Sequence, residues 1–241
     1  MAAQIYPSSI LVEDATQWDN EARRKNVASR PLKSCRNLQS GSKITEEQFL
    51  LFRTLFPRTR RNFTPNRFGL NTFYQQANLF LVNPDFQEYL VRITAGGPSQ
   101  AHFTQWTQNT LFKVPLVQQR QITSTKYGAG SKITQLTESA VNTSLVSFLQ
   151  ALAMLAAPLN SQWNANMIPL EAYFGSPRGQ RRAYTAVTDG QLQNLSSKEI
   201  LAFLECKRGL RLKHSPQVEM QENAQAVAWV KEYPDTTPRP W

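Results

Sequence analysis

The segment at residues 138–157 restricts the fold most, because it is the most hydrophobic stretch of the chain. Its large aliphatic side chains recur on adjoining helical turns, which predicts a central core helix. These side chains are Val141, Leu145, Leu149, Leu152 and Leu155. The apolar run ends at Pro158 and is too short to span a bilayer, so we expect a soluble protein with no membrane partner.

Helix-start signals recur along the rest of the chain. The sequences TEEQ at 45–48 and SSKE at 196–199 match capping boxes, in which side chains satisfy the first helical N–H groups. Only residues 111–127 suggest extended structure, as one short β-hairpin. The chain has neither an internal repeat nor a regular alternation of strand and helix. These patterns predict a mainly α protein with a bundle-like helical core.

The helical core is predicted to span residues 16–231, between two terminal segments. At 241 residues, the chain can form one large domain or two lobes that share a basic groove. Two lobes would meet near residues 128–137, before the most hydrophobic helix. Residues 1–15 are predicted to form an extended apolar arm, and residues 232–241 a proline-containing tail.

Both terminal segments contain apolar side chains that a compact monomer does not need. These are Ile5, Tyr6, Ile10, Leu11 and Trp241. Two interpretations remain open. The ends either pack on their own domain or are disordered, or each arm fills a groove on the next copy and generates a head-to-tail oligomer. The second interpretation predicts self-association through the arms.

The formal net charge of +10 is concentrated in three basic blocks. Residues 23–67 contain twelve lysines and arginines against two acids, and residues 89–137 contain five against none. Residues 178–213 contain eight against three, whereas the remainder holds two bases and twelve acids. Such segregation is typical of a surface that binds phosphates.

Arginine dominates the strongest runs, and its planar guanidinium can hold two phosphate oxygens at once. Aromatic residues adjoin these runs, where they can stack on unpaired bases or belong to the core beside a solvated basic face. The predicted nucleic-acid-binding residues are Arg58, Arg60, Arg61, Arg67, Arg178, Arg181, Arg182, Lys207, Arg208, Arg211, Lys213, Phe63, Phe68 and Tyr184. This pattern predicts single-stranded nucleic acid, RNA in the first place, as the partner.

Signatures of catalysis are few. The chain lacks the phosphate-binding motifs GxxxxGK[ST] and GxGxxG as well as HExxH and GxSxG. Cys35 and Cys206 lack CxxC spacing, so we expect reduced thiols and no zinc site. The acids lie mostly away from the basic blocks, whereas a nuclease clusters acids to hold magnesium. We therefore predict no enzymatic activity, no cofactor, no metal and no small-molecule substrate.

By analogy of architecture, a basic helical protein of this size with two arms resembles the nucleoprotein or coat protein of an RNA virus. The resemblance implies a protein that oligomerises along single-stranded RNA and packages it without reading its sequence, in the virion or the host cytoplasm. Two other classes fit the same basic surface. One is a cellular RNA- or ribosome-associated binding module, and the other is a nucleic-acid-processing enzyme, which magnesium-dependent cleavage requiring one carboxylate would establish.

Overall fold

The computed structural model divides the chain into two compact units. Unit 1 comprises Met1–Arg60, Met167–Thr188 and Gly209–Trp241, and unit 2 comprises Arg61–Asn166 and Asp189–Arg208. The structure describes residues 10–35, 37–56, 64–94, 111–123, 137–156, 158–175, 183–209 and 211–234. The lobe boundary expected near 128–137 falls within unit 2, and residues 124–136 lie outside the described residues.

Seven α-helices occur in the described residues. They are α1 (Ala15–Arg24), α2 (Glu46–Leu51), α3 (Asn71–Leu81), α4 (Pro84–Thr94), α5 (Lys113–Thr123), α6 (Glu138–Met154) and α7 (Gln217–Glu232). The capping signal at 45–48 is confirmed, because the Thr45 side chain accepts a hydrogen bond from the Gln48 N–H at the start of α2. The predicted hydrophobic helix is α6, which Thr137 caps in the same way.

Five strands accompany these helices. They are β1 (Ser161–Asn164), β2 (Pro169–Tyr173), β3 (Ala183–Val187), β4 (Gly190–Asn194) and β5 (Ile200–Leu204). Strands β1, β4 and β5 form a three-stranded antiparallel sheet in that order, and β2 pairs with β3 in a two-stranded one. The prediction of a mainly α protein is therefore wrong, because the described residues form a mixed α/β structure.

Two local misassignments explain this error. The sequence at 196–199 is the turn between β4 and β5, where the Asn194 side chain accepts hydrogen bonds from the N–H groups of Ser196 and Ser197. The apolar run that follows it is strand β5, since a run of five residues is too short for periodicity to separate strand from helix. The hairpin predicted within 111–127 is also wrong, because α5 occupies most of that segment.

Unit 1 is built around the β2–β3 sheet and α7. The buried Tyr184 hydroxyl donates to the Ala224 carbonyl oxygen (2.7 Å), and Gln225 Nε2 donates to the Val187 carbonyl oxygen (2.8 Å). Ile10 and Val12 are also part of the buried core. The end of the predicted N-terminal arm thus packs within its own unit, and residues 1–9 lie outside the described residues.

Unit 2 has an aromatic core where α4, α5 and α6 meet. Phe86, Tyr89, Phe112, Leu116 and Ala151 form its buried cluster, which Phe148, Leu152 and Leu155 flank. The three-stranded sheet joins this core through α6, since Gln150 Oε1 accepts a hydrogen bond from the Trp163 N–H of β1 (2.8 Å). No helix within the described ranges is long and apolar enough to cross a bilayer.

Phe112 is fully buried and contacts the rings of Phe86, Tyr89 and Phe148, so its truncation should leave a cavity in unit 2. We expect Phe112→Ala to lower the free energy of unfolding by about 3–5 kcal/mol in urea titrations. Val114→Ala is the matched control, because Val114 is 58% exposed and its truncation should change stability by less than about 0.5 kcal/mol. Equal losses for the two variants would contradict this core assignment.

Candidate active site

Many of the residues predicted to bind nucleic acid or to mediate oligomerisation lie outside the described residues. These are Arg58, Arg60, Arg61, Phe63, Arg178, Arg181, Arg182, Ile5, Tyr6 and Trp241. Ile10 is buried in unit 1, which argues against its role in an exchangeable arm, and Leu11 is half-buried.

The described aromatic candidates differ in exposure. Phe68 is 60% exposed and follows the exposed Arg67 in the turn Pro65–Phe68, so the geometry of this pair suits contact with a ligand. Tyr184 is only 4% exposed, and Phe52 and Phe174 contact its ring. The Tyr184 ring is therefore a core element of unit 1 and has no face on which a base could stack.

The basic candidates near the end of the third block also differ. Arg211 contacts the carboxylates of Glu219 and Glu222 on α7, so its charge is compensated within unit 1. Arg208 and Lys213 are exposed. Lys207 is largely buried and forms an ion pair with Glu205, whose side chain is 2% exposed. Lys207 therefore belongs to a structured polar cluster and not to a solvated phosphate-binding face.

This cluster lies at the end of the sheet where β4 begins and β5 ends. Asp189 directly precedes β4, and its N–H donates to the Leu204 carbonyl oxygen at the end of β5 (3.0 Å). Its Oδ2 accepts a hydrogen bond from the Cys206 N–H (2.7 Å). Gly190 pairs with Leu204 at the end of the ladder, so Asp189 and Glu205 directly flank the last residue pair of the hairpin. The hairpin thus brings Asp189 to the same end of the sheet as Glu205 and Lys207, which lie 16 and 18 residues later in the sequence.

Gly190 allows the sheet to close tightly beside Asp189. A Cβ atom on this residue would lie 2.6 Å from the Asn164 carbonyl oxygen of β1, closer than side-chain carbon atoms approach backbone oxygens. The close packing of β1 against β4 therefore requires glycine at this position, and it holds the backbone that carries the Asp189 carboxylate.

Helix α6 supplies the other side of the cluster. Asn142 is buried, and its Nδ2 donates to the Asp189 carbonyl oxygen while its Oδ1 accepts from Cys206 Sγ (3.5 Å). Glu138 lies four residues earlier and therefore on the same face of the helix, one turn closer to its N-terminus. The Glu138 carboxylate stabilises the N-terminus of α6 through the helix dipole, and this role does not prevent it from also contacting a ligand.

The charges of this cluster act on the pKa of Lys207. Burial, which lowers the pKa of a lysine, is outweighed by the hydrogen bond to Glu205 and by the charges of Glu205, Glu138 and Asp189, so the pKa is raised above 10.5. Lys207 is thus an ammonium ion throughout the neutral range, and its contribution to stability is lost only as the pH rises through that raised value.

The Cys206 thiol faces the same environment. Burial and the negative charges of Asp189, Glu205 and Glu138 raise its pKa to about 11, although Lys207 opposes them. The thiol is therefore protonated near neutral pH and is not a thiolate nucleophile or metal ligand in this state. Its donation to Asn142 makes it a structural neighbour of the charged groups.

Gln191 adds a polar atom that lacks a hydrogen-bond partner among the described residues. It lies on β4, two residues after Asp189. The residue is 3% exposed, and Gln191 Oε1 has no hydrogen-bond partner among the described residues. A buried amide oxygen without a partner is costly, which is a reason to expect a ligand there.

The donor set suits a hard divalent cation with few protein ligands. Among the described residues, no three His, Cys, Asp or Glu side chains are arranged to hold a metal ion together. Mg²⁺ commonly uses one or two carboxylates and completes its octahedron with water and substrate phosphate. Asp189 and Glu205 fit that smaller requirement, and the Gln191 amide oxygen is of the same hard ligand type.

No protein-family model, curated protein or solved structure matches the chain. The site is therefore defined by its own geometry and chemistry.

The Glu205–Lys207 pair provides a direct test of the cluster. We expect Lys207→Met to lower the free energy of unfolding by about 3–5 kcal/mol at pH 8, because it removes the ammonium group that is paired with the buried Glu205 carboxylate. The loss should shrink toward pH 4, where protonation neutralises the stranded carboxyl group. Denaturant titrations across this pH range measure both effects.

The double variant Glu205→Gln/Lys207→Met is the matched control, because it removes both charges and should recover much of the stability. A loss that does not change with pH, or a double variant as unstable as Lys207→Met, would show that the ion pair is not buried as described.

Proposed function

We propose that unit 2 is a divalent-metal-dependent phosphodiesterase that hydrolyses nucleic acid. The observation that supports this proposal best is the convergence of Asp189, Glu205 and Lys207 at one end of the β4–β5 hairpin, beside Glu138 of α6. The proposal replaces the expectation of a protein without enzymatic activity, which depended on the acids being dispersed. It selects the nucleic-acid-processing enzyme among the classes open from the sequence.

Crowded acids are a property of sites that bind cations. Asp189, Glu205 and Glu138 all act electrostatically on Cys206 and Lys207, so three negative charges lie in one region, and burial of the Glu205 side chain adds a desolvation cost. A structural ion pair needs one acid and one base, so Asp189 and Glu138 exceed that requirement. A divalent cation would balance negative charge here, and groups with shifted pKa values such as Cys206 and Lys207 concentrate at functional sites.

Asp189 and Glu205 would hold the cation, and the Gln191 amide oxygen and the Glu138 carboxylate of the same unit would be further hard oxygen donors. When bound, a divalent cation lowers the pKa of a coordinated water and neutralises charge on the phosphate. Two hydrogen bonds position Asp189. Asn142 Nδ2 donates to its main-chain carbonyl oxygen, and the Cys206 N–H donates to its carboxylate oxygen Oδ2. These contacts restrict the acid before any ligand arrives.

Lys207 would act as a cation and not as a base, because its raised pKa keeps it protonated at neutral pH. Hydrolysis forms a bond from a water oxygen to phosphorus and breaks the bond from phosphorus to the leaving oxygen, with one proton lost by the water and one gained by the leaving group. The Lys207 ammonium can stabilise the negative charge that accumulates on the phosphoryl oxygens as the water adds.

The charge of the chain favours a polyanionic substrate. The chain has a formal net charge of +10, and its bases are concentrated in three blocks, so the protein attracts phosphodiester chains over long range, and this attraction weakens with salt. The same blocks favour a second candidate function, the packaging of single-stranded RNA. That candidate needs salt-dependent binding and assembly along the strand but no carboxylate-dependent cleavage.

Cleavage assays with purified protein test the proposal. With labelled single- and double-stranded DNA and RNA, we expect cleavage that requires Mg²⁺ or Mn²⁺ and that EDTA abolishes. Asp189→Asn, Glu205→Gln and Lys207→Met should each lower the rate by at least about a hundredfold, because each removes a group that acts on the reacting phosphate or its cation.

Two residues in the turn between β4 and β5 provide matched controls. Lys198→Met and Glu199→Gln make the same chemical changes at exposed positions of the same unit and should leave the rate unchanged. Glu205→Gln and Asp189→Asn keep the size of each side chain, and circular dichroism verifies their fold. Metal-independent cleavage, or equal loss in the control variants, would contradict the proposal, and tight binding without cleavage would favour packaging.

A further inference from the structure

The three-stranded sheet of unit 2 gathers amide side chains on one of its faces. Residues that are paired across an antiparallel ladder project to the same side of the sheet. The register pairs Gln162 with Gln193 and Asn164 with Gln191 between β1 and β4, and it pairs Gln191 with Phe203 between β4 and β5. Four amides and one aromatic ring therefore share this face, which we call the amide face.

The opposite face of the same sheet is apolar. It carries Trp163, Leu192 and Ala202, which are paired across the three strands, and β1 lies against α6. An antiparallel sheet with one apolar and one polar face packs on its own protein through the apolar side. The amide face is thus the side of this sheet on which a ligand can bind.

The middle of the amide face is buried and contains a polar atom without a partner. Gln162 is exposed at one side, Asn164 and Phe203 are half-buried, and Gln191 between them is 3% exposed. Gln191 Oε1 accepts no hydrogen bond within the described part of the chain. Burial of such an oxygen is unfavourable, and a leucine at this position would carry no such penalty. The glutamine therefore points to a ligand that has a hydrogen-bond donor.

Two other amides of this face are each held by one end. Asn164 Oδ1 accepts from the Asn166 N–H (3.1 Å), and Gln193 Nε2 donates to the Lys198 carbonyl oxygen (2.8 Å). These bonds orient the amides and, within the described residues, leave Asn164 Nδ2 and Gln193 Oε1 for a ligand. Amide side chains match the donors and acceptors on nucleobase edges, and aromatic rings stack on nucleobase faces.

The amide face adjoins the proposed hydrolytic centre. Gln191 follows Asp189 by two residues on β4, and Phe203 precedes Glu205 by two residues on β5, which is about 7 Å along each strand. A nucleic-acid strand with one phosphate at the two acids would bring a neighbouring base to Gln191 and Phe203. Bases in a duplex are stacked on each other, so an aromatic ring can stack only on an unpaired base.

We propose that the amide face binds an unpaired nucleobase of the strand that the neighbouring acids cleave, and thereby selects single-stranded nucleic acid. Gln191 Oε1 accepts a hydrogen bond from an N–H group of the base, and the Phe203 ring stacks on the base. The inference rests on the proposed function, because the bound strand is its substrate. A Gln191 oxygen that serves a base does not coordinate the cation, so binding without metal separates the two roles.

Strand binding in EDTA tests the inference. Fluorescence anisotropy compares a labelled single-stranded oligonucleotide with an abasic strand of the same length and with a duplex. The two single strands carry the same phosphates, so the difference in their affinities isolates the contribution of the bases. We expect the wild type to prefer the normal strand by at least about tenfold, and Gln191→Leu and Phe203→Leu each to lose most of that preference.

Thermal unfolding separates a ligand-binding role of Gln191 from a structural one. Gln191→Leu removes a buried amide oxygen that has no partner among the described residues, so the melting temperature should stay unchanged or rise while base-dependent binding falls. Gln76→Leu and Phe73→Leu are the matched controls. They make the same chemical changes at exposed positions of α3 in the same unit and should alter neither property.

Three results would overturn the inference. They are equal affinity of the wild type for normal and abasic strands, a lower melting temperature of Gln191→Leu with unchanged binding, and a loss in Gln191→Leu that appears only in the Mg²⁺ dependence of cleavage. The proposed function fails separately. Base-dependent binding without cleavage would contradict the hydrolase alone, and cleavage of abasic, single-stranded and duplex substrates at equal rates would contradict the base-binding face alone.

Discussion

The ion pair between Glu205 and Lys207 is the interaction on which the proposed site depends. A carboxylate whose side chain is 2% exposed cannot remain ionised at low cost without a compensating charge, and Lys207 is that charge. The pair follows directly after β5, so the hairpin register fixes its position relative to Asp189. Buried ion pairs contribute little net stability compared with apolar residues of similar size, which makes a purely structural reason for this one weak.

The hydrogen bonds around Asp189 connect this pair to the rest of unit 2. The Asn142 side chain forms hydrogen bonds with both Asp189 and Cys206. Helix α6 is thereby attached to the residue before β4 and to the segment that follows β5. Helix α6 also forms part of the aromatic core, so packing in that core fixes the position of Asn142 and, through it, of Asp189. A protonated Cys206 fits this arrangement, because it donates to Asn142 without adding another negative charge.

The sequence predicts the helices better than the sheets and better than the site. The hydrophobic repeat at 138–157 and the cap at Thr45 are local signals, and both elements occur where expected. The β4–β5 hairpin was missed because residues 200–204 are a short apolar run behind a sequence that also matches a helix cap. If residues 200–204 are assigned to a helix, no local pattern predicts that Asp189 and Glu205 lie at the same end of a hairpin.

A hairpin assignment would have revealed the site. Asp189 directly precedes one strand, and an acid and a lysine two residues apart directly follow the next, so all three lie at the same end of an antiparallel pair. The contributions of Asn142 and Gln191 depend on packing between distant segments, which no local pattern encodes. The arginines at 58–67 and 178–182 are the converse case, since sequence composition alone identifies them and Arg67 is the one among them that the described residues include.

The discontinuous make-up of the two units has a consequence for synthesis on the ribosome. The chain leaves unit 2 after β1, builds β2 and β3 in unit 1, returns for β4 and β5, and ends in unit 1. Helix α7 supplies Val218, Met220, Ala224 and Ala228 to the core of unit 1, whose helix α1 lies about 200 residues earlier in the chain. Unit 1 therefore cannot close until α7 has been synthesised, and a nascent chain arrested before residue 217 would expose the apolar face of β2 and β3 to chaperones.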